Sequence, residues 1–83
     1  MSQVKVFGTD ACEMTQDTRE YLDRRGVLYD YIDIEADRAA AQWVRGQNGG
    51  KERTPTLDIA GKILVEPGDA QLEQVLRSKQ ILG

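Results

Sequence analysis

Cys12 is the only cysteine in the chain, and its position in the sequence suits a nucleophile. It follows an alternating apolar stretch, residues 3–7, that is typical of a β-strand, and it precedes residues with helical spacing. Backbone N–H groups at the start of a helix stabilise an anion, and the thiolate is the nucleophilic form of cysteine. We therefore expect a redox-competent thiol at Cys12. The alternative is a cysteine that only fills space in the interior.

Acidic residues flank this cysteine on both sides. Asp10 and Glu13 have the spacing of a capping box, which predicts Asp10 as the N-cap and Glu13 as the third helical residue. As negative charges near the sulfur, they are expected to raise the pKa of the thiol and so to offset the lowering of that pKa by the helix start. Thr15 is either an ordinary helical residue or a hydroxyl that donates to the sulfur.

The missing residue types exclude several kinds of chemistry. The chain has no histidine, which rules out a Cys–His nucleophile pair and a His-ligated zinc site. A single cysteine also rules out a four-thiolate metal site within one chain, so we predict no metal site. It cannot form an internal disulfide, so the fold needs no oxidising compartment.

Two further segments suit a binding groove beside Cys12. Thr54-Pro55 precedes a short apolar stretch, and a proline that enters a strand there is a candidate cis peptide. The backbone of Thr54 would then be free to pair with a bound peptide. Gly68-Asp69 precedes the last helical pattern and offers N–H donors to a carboxylate.

Hydrophobic periodicity predicts the elements that position these residues. Strands are predicted at residues 3–7 and 28–34, and a hairpin of two short strands is predicted at residues 56–60 and 62–65. The first helix ends at Gly26 and buries Met14, Thr18, Tyr21 and Leu22. The second ends at residues 48–50, and its spaced positions are Ala36, Ala40, Trp43, Val44 and Gln47. The apolar positions of the third helix are Leu72, Val75 and Leu76.

The predicted element order is β-α-β-α-β-β-α, in one domain at residues 1–83. This order predicts an α/β fold with a four-stranded mixed sheet and three helices. The net charge is −3, from 11 basic and 14 acidic residues. This balance does not indicate the basic surface that binds nucleic acid or an anionic membrane. No apolar run approaches the roughly 20 residues that span a bilayer, and the N-terminus lacks signal-peptide features. We expect a cytoplasmic monomer.

The element order and these motifs together resemble the glutaredoxins, which have the thioredoxin fold. The motifs are CEMT at residues 12–15, Thr54-Pro55 before the third strand, and Gly68-Asp69 before the last helix. The resemblance covers essentially the whole chain. Four further segments look most like the mycoredoxin branch of actinobacteria: DIE at 33–35, RAAA at 38–41, NGG at 48–50 and RTPT at 53–56.

The resemblance implies thiol–disulfide exchange on mixed disulfides between client proteins and a low-molecular-weight thiol. Cys12 matches the nucleophile, and Thr15 replaces the second cysteine, which makes the chain monothiol. Glutathione or mycothiol would be a co-substrate, with no tightly bound cofactor. The residues matched to thiol binding are Thr54, Pro55, Gly68 and Asp69, with Gln42 and Arg45 as looser matches near the other end of the ligand. Arg53 is a candidate for steering an anionic thiol to the site.

The chain departs from the family beside its cysteine. Thr9 and Asp10 stand where a lysine is common, and Glu13 stands where a small residue or proline is usual. Gly-Phe-Ser, which follows the cysteine in the iron–sulfur branch, is missing. Two alternatives therefore stay open: a redox-degenerate module that binds a thiol or a protein, and a dimer that carries an iron–sulfur cluster.

Overall fold

The computed structural model describes residues 2–83, which contain seven helices and strands. In chain order these are β1 (Val4–Gly8), α1 (Glu13–Arg24), β2 (Asp30–Asp33), α2 (Arg38–Gln47), β3 (Thr56–Ile59), β4 (Lys62–Val65) and α3 (Asp69–Ser78). The sheet order is β2-β1-β3-β4. β1 pairs parallel with β2 and antiparallel with β3, and β3 pairs antiparallel with β4. The predicted four-stranded mixed sheet with three helices is confirmed.

Alternation along β1 divides the interior into two clusters. Val4 and Val6 point to one face, where they pack with buried residues of α1 and α3 such as Leu22 and Leu72. Phe7 points to the opposite face, where it packs with the residues of α2. α1 and α3 thus cover one face of the sheet, and α2 covers the other.

The first helix buries a different residue from the one predicted. Met14 is 36% exposed, whereas Thr15 is fully buried together with Thr18, Tyr21 and Leu22. Because α1 begins at Glu13, Thr15 and not Met14 lies on the face that meets the sheet.

The second strand and second helix both begin later than predicted. β2 begins at Asp30, and Leu28 before it is 84% exposed. α2 begins at Arg38 after an N-cap at Asp37, whose side chain accepts from the Ala40 backbone N–H at 3.0 Å. Ala36 is therefore outside the helix.

The segment that leads into β3 has the geometry predicted for it. The Thr54-Pro55 peptide bond is cis, and Pro55 is buried. β3 and β4 form the predicted hairpin around Gly61, whose φ of 94° suits glycine. No helix within residues 2–83 has the length and apolar character needed to traverse a bilayer.

Candidate functional site

Cys12 is the N-cap residue of α1, with an extended backbone at φ −81° and ψ 116°. Its N–H donates to the Thr9 carbonyl at 3.2 Å, and its carbonyl accepts from the Gln16 N–H at 3.2 Å. The side chain is partly exposed, and its S–H donates to the Thr54 carbonyl at 3.6 Å. The sulfur therefore lies between the start of the first helix and the segment before β3.

The pKa of the Cys12 thiol lies below its ordinary value. Burial of the sulfur raises the pKa, but hydrogen bonds from Thr15 and Thr54 and from the backbone of Thr15 and Met14 outweigh burial. These donors stabilise the thiolate, as was predicted from the position of Cys12 at the start of a helix. Asp10 and Glu13, which were expected to raise the pKa, are not among the main causes of the shift.

Thr15 acts on the sulfur of Cys12 but makes no hydrogen bond to a described residue through its own side chain. Its Oγ1 is fully buried and has no partner within residues 2–83. The hydroxyl is nevertheless among the groups that lower the pKa of Cys12. This favours the second interpretation of Thr15, a hydroxyl that serves the sulfur.

Gly8 at the end of β1 makes room for Thr15. A Cβ at position 8 would lie 2.5 Å from Thr15 Cγ2 and 2.7 Å from Thr15 Oγ1. The close approach of strand and helix therefore requires glycine, and it fixes the threonine side chain beside Cys12.

Asp10 does not cap α1, so the predicted capping box is wrong. Its carboxylate accepts from the Tyr31 hydroxyl at 2.8 Å, and the Arg19 guanidinium lies 3.9 Å from the centre of the Tyr31 ring. Glu13 is the first helical residue, not the third. The Asp10 carboxylate therefore binds the Tyr31 phenol of β2 instead of a backbone N–H of the first turn of α1.

Tyr31 and Arg19 are residues that the sequence did not assign to the site. Burial and the hydrogen bond to Asp10 raise the pKa of Tyr31 to about 12. Arg19 also donates to the Tyr29 hydroxyl at 3.3 Å and to the Gln16 side chain at 3.4 Å. This network anchors the loop that carries Cys12. No local motif reveals it, because Tyr31 and Asp10 are 21 residues apart.

Arg53 and Glu66 tie together the two loops beside Pro55. The Glu66 N–H donates to the Pro55 carbonyl at 2.8 Å, and Arg53 Nη1 lies 3.3 Å from Glu66 Oε2. The Thr56 hydroxyl donates to the Arg53 carbonyl at 2.7 Å. Because the S–H of Cys12 contacts Thr54, these bonds hold the backbone directly across from the sulfur.

Gln42 and Arg45 line a polar pocket of about 540 Å³ between α2 and the neighbouring loops. Its other charged residues are Glu35, Arg38 and Glu52, and Arg45 forms an ion pair with Glu52. Ile34, also in the wall, donates its N–H to the Gly8 carbonyl at 3.0 Å. The pocket therefore borders the end of β1 from which the Cys12 loop leaves.

Gly68 is the N-cap of α3, and Asp69 is its first residue. The Asp69 carboxylate lies 4.0 Å from Arg24 in the last turn of α1, which is roughly 18 Å along the helix from Cys12. Both side chains are well exposed, at 64% for Arg24 and 65% for Asp69.

Contacts within residues 2–83 thus join Cys12 directly to Thr15 and Thr54, and through Pro55 to Arg53 and Glu66. Gln42 and Arg45 form a second group in the pocket, while Gly68 and Asp69 make no hydrogen bond to Cys12. Within the same residues, no cluster of three histidine, cysteine or acidic side chains is placed to hold a metal ion.

Comparisons with known proteins agree with this architecture. The Glutaredoxin family model matches residues 4–64. Mycoredoxin 1 of Corynebacterium glutamicum is 37% identical over 57 residues, which cover 69% of this chain and 70% of that protein. A glutaredoxin structure from Archaeoglobus fulgidus has a TM-score of 0.80 and 23% identity, and covers 93% of this chain and 88% of its own.

A buckwheat glutaredoxin solved in complex with glutathione has a TM-score of 0.69 and 18% identity, and covers 94% of this chain and 71% of its own. At identities below 25%, these two structures show the fold alone. The family model spans most of the chain, and its match includes the cysteine at the start of α1. This chain therefore belongs to the glutaredoxin family.

Proposed function

We propose that this chain is a monothiol thiol–disulfide oxidoreductase that acts on mixed disulfides between proteins and a low-molecular-weight thiol. The observation that carries the proposal is the setting of Cys12. Its sulfur lies at the start of α1, is partly exposed, faces the Thr54 carbonyl and has a lowered pKa. A thiol that ionises readily and is open to solvent is equipped for nucleophilic attack.

In the first step, the Cys12 thiolate attacks the small-thiol sulfur of the mixed disulfide. A disulfide forms between Cys12 and the small thiol, and the bond to the client breaks. The electron pair leaves with the client sulfur, which takes a proton from solvent. Thr15 stabilises the attacking thiolate through its hydroxyl.

In the second step, the thiolate of another small thiol attacks the small-thiol sulfur bound to Cys12. The small thiol is released as its disulfide, and the electron pair returns Cys12 to the thiolate. An external thiol is required because the chain has no second cysteine. Thr15 then stabilises Cys12 as the leaving group.

The remaining site residues take roles in holding the small thiol. The backbone of Thr54, oriented by the cis bond to Pro55, pairs with its cysteinyl part, and the pocket with Gln42 and Arg45 receives its far end. The positive charge of Arg53 attracts an anionic small thiol toward the site. Gly68 and Asp69 contribute backbone N–H groups at the start of α3, since the Asp69 carboxylate pairs with Arg24.

Glutathione and mycothiol are the two candidate co-substrates. A buckwheat glutaredoxin has been solved with glutathione, and a relative at 37% identity is a mycoredoxin. We place the activity in the cytoplasm, on disulfide-bearing client proteins.

The test compares turnover of a peptide mixed disulfide by the wild type and by Cys12→Ser, with glutathione and mycothiol supplied separately. We expect the wild type to release the peptide thiol with at least one of them, and Cys12→Ser to match the uncatalysed rate. Equal rates for both proteins would contradict the proposal and favour a redox-degenerate binding module.

A further inference from the structure

Arg45 and Arg53, the arginines proposed to contact the small thiol, already form ion pairs with glutamates. Arg53 Nη1 lies 3.3 Å from Glu66 Oε2, and Arg45 Nη1 bonds to Glu52 Oε2. All four side chains remain partly exposed, between 35% and 49%. The two positive charges that an anionic ligand would use are therefore each matched by a negative charge within the chain.

The pair of Arg53 and Glu66 is attached to the same backbone segment that contacts the Cys12 sulfur. Glu66 adopts a left-handed conformation, with φ of 48°, and its N–H donates to the Pro55 carbonyl at 2.8 Å. Its place is therefore fixed relative to Thr54, whose carbonyl contacts Cys12 at 3.6 Å. A ligand disulfide-bonded to Cys12 would lie next to this pair.

The pair of Arg45 and Glu52 lies in the wall of the pocket of about 540 Å³ beside α2. This volume is within the usual range for small-molecule sites. The pocket is mainly polar, and its formal charges cancel, with Glu35 and Glu52 opposite in sign to Arg38 and Arg45. Such a lining suits a ligand that offers hydroxyl and amide groups better than one that brings a net negative charge.

We infer that Glu52 and Glu66 are specificity-determining residues that disfavour small thiols bearing carboxylates relative to uncharged ones. The inference rests on the proposed function. A ligand carboxylate that approaches Arg45 or Arg53 must displace the resident glutamate and then remain near it as a like charge. A neutral thiol leaves both ion pairs intact. Because the pairs are partly exposed, the discrimination is modest for each glutamate.

The kinetic test uses one peptide in two mixed disulfides, one with glutathione and one with 2-mercaptoethanol. The measured quantity is the ratio of kcat/KM for the glutathione substrate to that for the neutral one. We expect Glu52→Gln and Glu66→Gln each to raise this ratio by about two- to fivefold, the range for exposed ion pairs. The increase should shrink at high salt, because exposed charges are screened.

Glu73→Gln is the matched control. Glu73 also forms ion pairs, with Arg25 at 3.3 Å and Arg77 at 2.9 Å, but it belongs to α3 and lies outside both groups of site residues. Its loss should leave the ratio at the wild-type value. An equal rise in Glu73→Gln would show that net charge alone controls the ratio and would overturn the inference.

A binding measurement separates this inference from the proposed function. S-Methylglutathione, which cannot exchange, is titrated into each protein and its Kd is obtained from amide shifts. We expect tighter binding by Glu66→Gln than by the wild type, and loss of that gain in Glu66→Gln/Arg53→Gln. Unchanged or weaker binding in Glu66→Gln overturns the inference even if turnover is normal. If the wild type shows no turnover, the proposed function fails and the Kd values alone decide the inference.

Discussion

Replacing Thr15 with valine should stabilise the fold while making Cys12 a weaker nucleophile. Valine keeps the branched shape that fills the space beside Gly8, and it removes only the hydroxyl. Thr15 Oγ1 is fully buried and has no hydrogen-bond partner within residues 2–83. An unsatisfied buried hydroxyl costs about 1–3 kcal/mol, so the variant should gain up to that amount in unfolding free energy at acidic pH.

The advantage of valine should shrink as the pH rises. The folded-state pKa of Cys12 is lowered, so ionisation of the thiol stabilises the fold. That stabilisation is fully present above the pKa of the unfolded chain and is lost as the pH falls through the folded-state pKa. Thr15→Val lacks the share that the hydroxyl contributes, so its own thiol should titrate at higher pH than in the wild type.

Two measurements check this reasoning. Urea unfolding gives the stability difference at a series of pH values, and the pH dependence of iodoacetamide alkylation gives the pKa of Cys12. Thr18→Val is the control, since Thr18 is 2% exposed on the same helix and is not among the main causes of the lowered pKa of Cys12. The reasoning is refuted if Thr15→Val alkylates with the wild-type pH profile, or if Thr18→Val raises the pKa as much.

Three further variants test other contacts. Gly8→Ala should lose about 1–3 kcal/mol of unfolding free energy in urea, because its Cβ would lie 2.5 Å from Thr15 Cγ2. The double variant Gly8→Ala/Thr15→Ala should recover much of that loss, and additive losses would contradict the contact. Burial and the hydrogen bond to Asp10 raise the pKa of Tyr31 from 10.0 to about 12. The neutral phenol therefore stabilises the fold below pH 10, and this stabilisation is lost as the pH rises toward 12. Wild-type stability should therefore fall more steeply than that of Tyr31→Phe over that interval, and parallel curves would refute the hydrogen bond to Asp10. Leu57→Ala should lower the unfolding free energy by about 2–5 kcal/mol in thermal or urea unfolding, because Leu57 is fully buried in the larger cluster. A loss below about 1 kcal/mol would mean that this position is not part of the core.

The sequence predicted the features that depend on local spacing. The element order and the hairpin around Gly61 were predictable from periodicity and turn residues, and the cis bond at Thr54-Pro55 from the resemblance to glutaredoxins. The place of Cys12 at a helix start was predictable from the same periodicity.

The remaining features depend on partners that are distant in sequence. Asp10 matches a local capping pattern, but a phenol from β2 binds its carboxylate in the folded chain. The burial of Thr15 instead of Met14 depends on where α1 begins relative to Gly8. The pairing of Arg53 with Glu66 requires two loops to meet, and only the folded chain shows that they do.

The unequal covering of the two sheet faces has a consequence for local unfolding. The face under α1 and α3 has ten buried residues, whereas the α2 face has four, Ile34, Ala40, Ala41 and Val44, two of which are alanines. Even with Phe7, Ile32 and Trp43 packed against these four residues, this cluster has fewer buried residues than the other, so α2 should open at a lower free energy than α1 and α3. Hydrogen exchange would then be fastest in α2 among the helices. The wall that carries Gln42 and Arg45 can therefore move to admit a bulky ligand while the larger cluster keeps Cys12 and β1 in register.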